Sequence, residues 1–210
     1  YTPMKAKLLP LFLLAALPTA TLAATPPNTL VVVQSLDDIV SLDPAEANEL
    51  SSIQTVPSLY QRLVQADRDD PAKVAPVLAE SWQGDAAAKT LTVKLRPQAA
   101  FASGNPLTAD DVIFSYSRAG KMNKSPAFIL NVLGWQPDNI ASQLKKVDDH
   151  TLTLHWTADV SPAVALNILS TPIASIVDEK QVAPNAKNND FGNDWLKVHS
   201  AGSGAYKMRV

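Results

Sequence analysis

The chain has 210 residues, 46% hydrophobic and 18% charged, with 16 Pro, 7 Gly and no Cys, the composition of a folding chain and not of a disordered or collagen-like one. Lys plus Arg is 18 and Asp plus Glu is 20, a net charge of −2, which argues against nucleic-acid binding by bulk electrostatics. The absence of cysteine excludes a disulfide scaffold, Cys-ligated zinc, iron–sulfur clusters, a thiol nucleophile and lipid attachment at an N-terminal cysteine.

Tyr1-Thr2-Pro3 precede a methionine, so translation is expected to begin at Met4. Lys5 and Lys7 form a basic start, Leu8 to Leu17 is apolar, and Pro18 and Thr21-Leu22-Ala23 follow. That order reads as a secretory signal cleaved after Ala23. The apolar run has half of the ~20 residues a membrane-crossing helix needs. Losing Lys5 and Lys7 leaves 16 basic and 20 acidic residues in 24–210, a net charge of −4. An exported chain without a lipidation cysteine fits the periplasm.

Thr29 to Gln34 is a continuous apolar, β-branched run, expected to be a strand buried on both faces. Ser41-Leu42-Asp43-Pro44 breaks it, because the residue before Pro is steered away from the helical region. From Ile53 to Val64 the apolar positions Ile53, Val56, Leu59, Tyr60, Leu63 and Val64 have helical spacing, with Pro57 inside. Val77 to Trp82 and Thr90 to Arg96 read as strands. The second alternates strictly, with Leu91, Val93 and Leu95 on one face. Thr108-Ala109-Asp110-Asp111 opens a helix to about Arg118, with Thr108 as cap and Asp111 where a capping box places its acid.

Between 120 and 144, Gly and Pro allow only short helices. Leu144–Val147 and Thr151–Trp156 flank Asp148-Asp149-His150 as a β-hairpin. Ser161-Pro162 starts a further helix, Asn185 to Asn193 is a loop, and Trp195, Leu196 and Val198 make a helical turn. Gly202 to Val210 reads as a tight turn running into a strand. Trp82 and Trp156 are expected in the core, and Trp135, between Gly134 and Gln136-Pro137, is expected to be exposed.

The chemistry-bearing residues make no recognisable catalytic pattern. His150, His155 and His199 stand in no metal-ligand spacing. There is no G-x-S-x-G elbow, S-x-x-K motif or P-loop. Asp110 and Asp111 are adjacent at a helix start, where capping explains them better than acid–base work. No catalytic residue, metal or cofactor is therefore assigned.

Several segments together resemble the extracytoplasmic solute-binding proteins of peptide ABC transporters, the dipeptide/oligopeptide-binding class known as solute-binding family 5. They are Ser41-Leu42-Asp43-Pro44-Ala45, Leu59-Tyr60-Gln61-Arg62-Leu63-Val64, Leu78-Ala79-Glu80-Ser81-Trp82 and Thr92-Val93-Lys94-Leu95-Arg96. Phe101, Gly104-Asn105-Pro106-Leu107-Thr108-Ala109-Asp110-Asp111-Val112, Ser115, Arg118 and Gly202-Ser203-Gly204-Ala205-Tyr206 continue them.

The resemblance implies an α/β fold of the type II periplasmic-binding-protein kind, the large class with an inserted subdomain, here only the first lobe and its insertion. Residues 24–60 and 171–210 would belong to the first ligand-binding lobe and 61–170 to an inserted α+β subdomain, with the second lobe missing. It implies a peptide or other small solute as ligand, ABC permease subunits of the inner membrane as partners, a monomer, and no nucleic acid. By position the ligand loop is Asn48, Glu49 and Leu50. A second wall follows Ser125-Pro126, where an aromatic is common in the family and Ala127 and Phe128 stand here. Residues 24–210 alone would then hold half of the ligand contacts and show no ligand-induced thermal shift. An exported hydrolase-like enzyme and a stand-alone peptide-binding or chaperone-like domain are the alternatives.

Overall fold

A computed structural model describes residues 25–33 and 35–209. The export-signal reading over 1–23 lies outside the described residues, as do Gln34 and Val210. Contacts divide the chain into a unit of residues 1–34 and a unit of residues 35–210. The described part of the first, 25–33, holds a turn closed by Thr29 N–H on the Pro26 carbonyl (2.9 Å) and no strand. The strand expected at 29–34 is therefore corrected over its described residues. Leu30 is 81% and Val33 93% exposed. A β-branched run becomes a strand only where a ladder pairs it, and none does so here.

In the second unit, the Ser41–Ala47 turn leads into α1 (Leu50–Leu59). This helix starts and stops earlier than the apolar spacing suggests. Tyr60 already has extended dihedrals, and Leu63 and Val64 are buried in extended chain. Strands β1 (Val64–Ala66) and β2 (Val74–Pro76) form an antiparallel pair. Strands β3 (Ala79–Asp85) and β4 (Thr90–Leu95) come next. Helix α2 (Ala109–Met122) carries the expected capping box, in which Asp111 Oδ2 accepts from Thr108 N at 2.9 Å. Its C-cap, Asn123, turns left-handed.

The short helices expected after it are a 3-10 turn at Ser125–Ala127, α3 (Phe128–Asn131) and a 3-10 turn at Ile140–Gln143. The hairpin is β5 (Leu144–Asp148) and β6 (Thr151–His155). Helix α4 (Pro162–Leu169) is capped by Ser161 Oγ, which accepts from Val164 N at 3.3 Å. Two single-turn helices, α5 (Glu179–Val182) and α6 (Asn193–Leu196), and 3-10 turns at Pro172–Ala174 and Ala183–Asn185 complete the described elements.

The larger sheet has the order β3-β4-β6-β5, antiparallel throughout. Its register pairs Leu91 with Leu154 and Val93 with Leu152, so one face is apolar while Thr92 and Thr153 meet on the other. Val112 and Tyr116 of α2, Ile168 and Leu169 of α4, Leu130 and Trp156 cover the apolar face. Fully burying each such side chain is worth roughly 1.5–3 kcal/mol. Gly84 in β3 is there for close approach, since a Cβ on it would stand 2.6 Å from Pro162 Cβ.

Trp135 is corrected as well. It is 1% exposed, its indole N–H donates to the His155 carbonyl at 2.8 Å, and its ring centroid lies 6.0 Å from that of Tyr116. Left-handed Gly134 (φ +78°) lets the turn fold over the sheet and turns the indole inward. Trp156 is buried and Trp82 half-buried against the same core.

A second apolar cluster gathers Leu42, Val56, Leu59 and Tyr60 with Val177, Val182, Leu196 and Ala201. Residues 202–209 are irregular, which corrects the strand expected there. Gly204 N–H and Tyr206 N–H donate to the Leu59 and Ser58 carbonyls, both at 3.0 Å. The segment is therefore pinned to the end of a helix, not to a sheet. Among the described residues no helix is long and apolar enough to cross a membrane.

Candidate ligand-binding site

The site grows out of the Asp-Pro turn. Pro44 forbids helix at Asp43, and the turn closes with Glu46 N–H (2.9 Å) and Ala47 N–H (2.8 Å) on the Asp43 carbonyl. Asp43 is fully buried, and a buried carboxylate needs partners. Its Oδ1 accepts from Ala45 N (2.9 Å) and Arg118 Nη1 (2.8 Å). Its Oδ2 accepts from Arg118 Nη2 (2.6 Å) and Asn193 Nδ2 (2.8 Å). Arg118 comes from α2 and Asn193 from α6, so three distant stretches of chain meet at one carboxylate. Asn193 Nδ2 also donates to Glu46 Oε2 at 2.9 Å, and Lys124 Nζ stands 3.5 Å from Glu46 Oε1.

Above this base the chain emerges into solvent. Asn48 is exposed, Glu49 half-buried and Leu50 68% exposed. Glu49 is the N-cap residue of α1, and its Oε2 accepts from Ser52 Oγ at 3.1 Å. Asp38 Oδ2 accepts from Ser51 N at 3.2 Å, and the hydrogen bonds from Ser51 hold its carboxyl below the usual carboxylate range. Ile53, one turn into α1, is 37% exposed beside this end.

The second stretch singled out in the sequence splits in two. Ala127 is 1% exposed and packed in the sheet core, so its methyl faces no solvent. Phe128 is 63% exposed and Val132, four residues on, is 48% exposed. The Glu46–Lys124 ion pair joins the loop bearing Asn48–Leu50 to the turn that leads to Phe128. Glu49 offers a carboxylate, and Leu50 and Phe128 offer exposed apolar side chains, groups of the kinds that hold an ammonium and an apolar side chain.

A cavity of about 390 Å³ opens beside this loop, lined by Lys121, Lys124, Phe191, Asn193, Asp194 and Lys197. Lys197 is raised in pKa, first by its hydrogen bond to Asp194 and then by the charge of Glu46. A larger cavity, about 680 Å³, lies at the far end of the sheet, between Glu80 and Lys94 and the Asp148-Asp149-His150 turn. Its lining is mixed in charge and shares no residue with the loop. Among the described residues no three His, Cys, Asp or Glu side chains are placed to hold a metal ion.

Sequence reasoning singled out Asn48–Leu50 and Phe128 but missed the residues beneath them. Glu46, Lys124 and Asn193 carried no motif. Arg118 was noted without its partner, because a contact across 75 residues leaves no mark in local spacing.

A family model described as bacterial extracellular solute-binding proteins, family 5 Middle, matches residues 73–209. A probable D,D-dipeptide-binding periplasmic protein of Escherichia coli is 30% identical over 190 residues, 89% of this chain and 34% of that protein. A periplasmic oligopeptide-binding protein of Haemophilus influenzae is 27% identical, over 85% of this chain and 33% of its own length. Among solved structures, the murein tripeptide binding protein of Escherichia coli aligns with a TM-score of 0.61 at 27% identity, covering 81% of this chain and 34% of that one. A substrate binding protein from Microbacterium hydrocarbonoxydans, complexed with 4-hydroxybenzoate hydrazide, gives 0.62 at 28% identity, covering 81% and 32%. The chain spans about a third of the length of the curated relatives it matches.

Proposed function

This chain belongs to the bacterial extracellular solute-binding proteins of family 5, and on that premise we propose that it supplies the first lobe of a periplasmic protein that captures peptides for an ABC importer. In this reading it binds without chemistry, and ligand biases an open–closed equilibrium by touching both lobes. Membrane permease subunits receive the solute, and the protein acts as a monomer exported through the signal at 1–23. The first lobe takes 24–60 and 171–210, and 61–170 is the inserted subdomain. Two apolar clusters support that division except at its edges, where Ala45 and Ile173–Ile176 pack with the subdomain. One draws on Leu42–Tyr60 and Val177–Ala201, the other chiefly on Leu63–Ile176.

The observation that carries the proposal is the anchored loop. A peptide needs an acid for its amine and backbone partners for its amides. Glu49 offers the acid, the exposed backbone at Asn48–Leu50 the partners, and Phe128 an apolar wall. Ala127, 1% exposed as a whole residue, presents no surface to a solute. A non-peptide solute is the second reading, because one solved relative is complexed with 4-hydroxybenzoate hydrazide.

The test is calorimetric titration of the protein expressed from its complete reading frame with trialanine. Saturable one-to-one binding, weakened by Glu49→Gln, supports the peptide reading. Absence of binding to trialanine and to a tripeptide library, with 4-hydroxybenzoate hydrazide bound, transfers support to the second.

A further inference from the structure

We propose that Arg118 is the positioning residue of the ligand loop, and that it couples this loop to the left-handed turn at 188–192. The inference rests on the reading of Asn48–Leu50 as ligand-contacting. The Arg118 guanidinium has two working edges. Nη1 and Nη2 grip both oxygens of Asp43, at 2.8 and 2.6 Å. Nε donates to the Phe191 carbonyl at 2.9 Å. Both side chains of the pair are out of solvent, 2% exposed for Arg118 and 0% for Asp43.

The turn held by the second edge is unusual. Asn188, Asn189, Phe191 and Gly192 all have positive φ, between 52° and 78°. Asparagine and glycine accept that region, whereas a bulky side chain such as Phe191 enters it only when its surroundings insist. Two groups insist. Asp190 Oδ1 accepts from Lys187 N (2.8 Å) and Gly192 N (2.9 Å), and its Oδ2 accepts from Asp194 N (3.2 Å). Arg118 fixes the Phe191 carbonyl itself. The next residue but one, Asn193, returns to the loop by bonding Asp43 and Glu46. The loop base and the turn are therefore tied twice, through Arg118 and through Asn193.

A buried ion pair is a poor source of net stability, because desolvation offsets most of the attraction. Its distinctive contribution is geometry. A planar, bidentate fork fixes the carboxylate in direction as well as distance, which lysine cannot do. A loop held in its binding conformation before ligand arrives spends less of the contact energy on ordering. Losing the fork should therefore free the loop and the turn together and leave the β-sheet as it is.

The experiment uses Arg118→Lys, Asn193→Ala and a core control, Leu154→Ala, in the protein expressed from its complete reading frame. Amide hydrogen exchange is read by mass spectrometry with and without trialanine. In Arg118→Lys, exchange at 44–50 and at 188–193 should rise tenfold or more, with 91–95 and 152–154 unchanged, and trialanine affinity should fall about tenfold. Leu154→Ala should speed the strands and spare the loop. If Arg118→Lys does not fold, Asn193→Ala decides, because it keeps the ion pair. Exchange at 44–50 should then rise threefold or more, again with the strands unchanged. Unchanged exchange at 44–50, or an equal rise everywhere, overturns the proposal, as does a freed loop with undiminished trialanine affinity. If the unsubstituted protein binds neither trialanine nor a tripeptide library, the peptide reading fails, and the exchange pattern alone decides the coupling.

Discussion

Replacing Gly202 with alanine should cost about 3 kcal/mol. Gly202 has no positive φ, so an L residue suits its backbone and the cost is one of space alone. A Cβ there would overlap the Leu59 carbonyl oxygen and stand 2.6 Å from Tyr60 Cδ1. Both neighbours are fixed, one being backbone at the end of α1 and the other a ring that is 1% exposed. The segment must back away. Doing so strains Ala102 N–H on the Gly202 carbonyl, Gly204 N–H on Leu59 and Tyr206 N–H on Ser58, each 3.0 Å long. Two or three such bonds at ~1 kcal/mol each agree with the ~1–3 kcal/mol usual for overpacking. For a domain of this size, about 3 kcal/mol lowers the thermal midpoint by roughly 6–12 °C. Gly104→Ala is the control, since φ is +92° there and nothing lies within 4 Å of the built Cβ. It should cost only the backbone strain, about 1 kcal/mol. A Gly202→Ala midpoint equal to that of Gly104→Ala would refute the reasoning.

Leu152→Ala removes a fully buried side chain facing Val93 and should cost about 2–5 kcal/mol by chemical denaturation. Ser161→Ala removes the cap of α4 and should cost about 1 kcal/mol. Burial first, then the charges of Asp111 and Asp110, raise the Glu179 carboxyl above its ordinary value of 4.5. A carboxyl with a higher pKa folded than unfolded binds its proton more tightly when folded, so stability falls as pH rises between the two values. Glu179→Gln should therefore raise the thermal midpoint at neutral pH, and the gain should vanish below pH 4.5. Residues 24–210 alone should show no thermal shift with a dipeptide or tripeptide, and a clear shift would contradict the two-lobe reading.

Local patterns were legible wherever a residue's neighbours in sequence are also its neighbours in space. The strict alternation of Thr90–Arg96 became β4, the box at Thr108–Asp111 capped α2, and the Ser-Pro pair opened α4. What failed depended on distant chain. Leu30–Val33 has the composition of a buried strand, but composition supplies no pairing partner. Trp135 sits among turn residues, yet the turn folds over a sheet whose place the sequence does not announce. The same division runs through the site. Asn48, Glu49, Leu50 and Phe128 were marked by their positions in a resemblance. The Asp43–Arg118–Asn193 support beneath them joins residues 75 and 150 positions apart, and only the fold brings them together.

The central claim is that a peptide binds against the loop anchored by Asp43 and the wall begun by Phe128. The most direct measurement is photo-cross-linking of the protein from its complete reading frame with a tripeptide carrying benzoylphenylalanine, mapped by mass spectrometry. The account expects saturable labelling within 48–53 or 128–132, suppressed by excess trialanine. Saturable labelling confined to the cavity at the Asp148–His150 turn, or none at all, would contradict it.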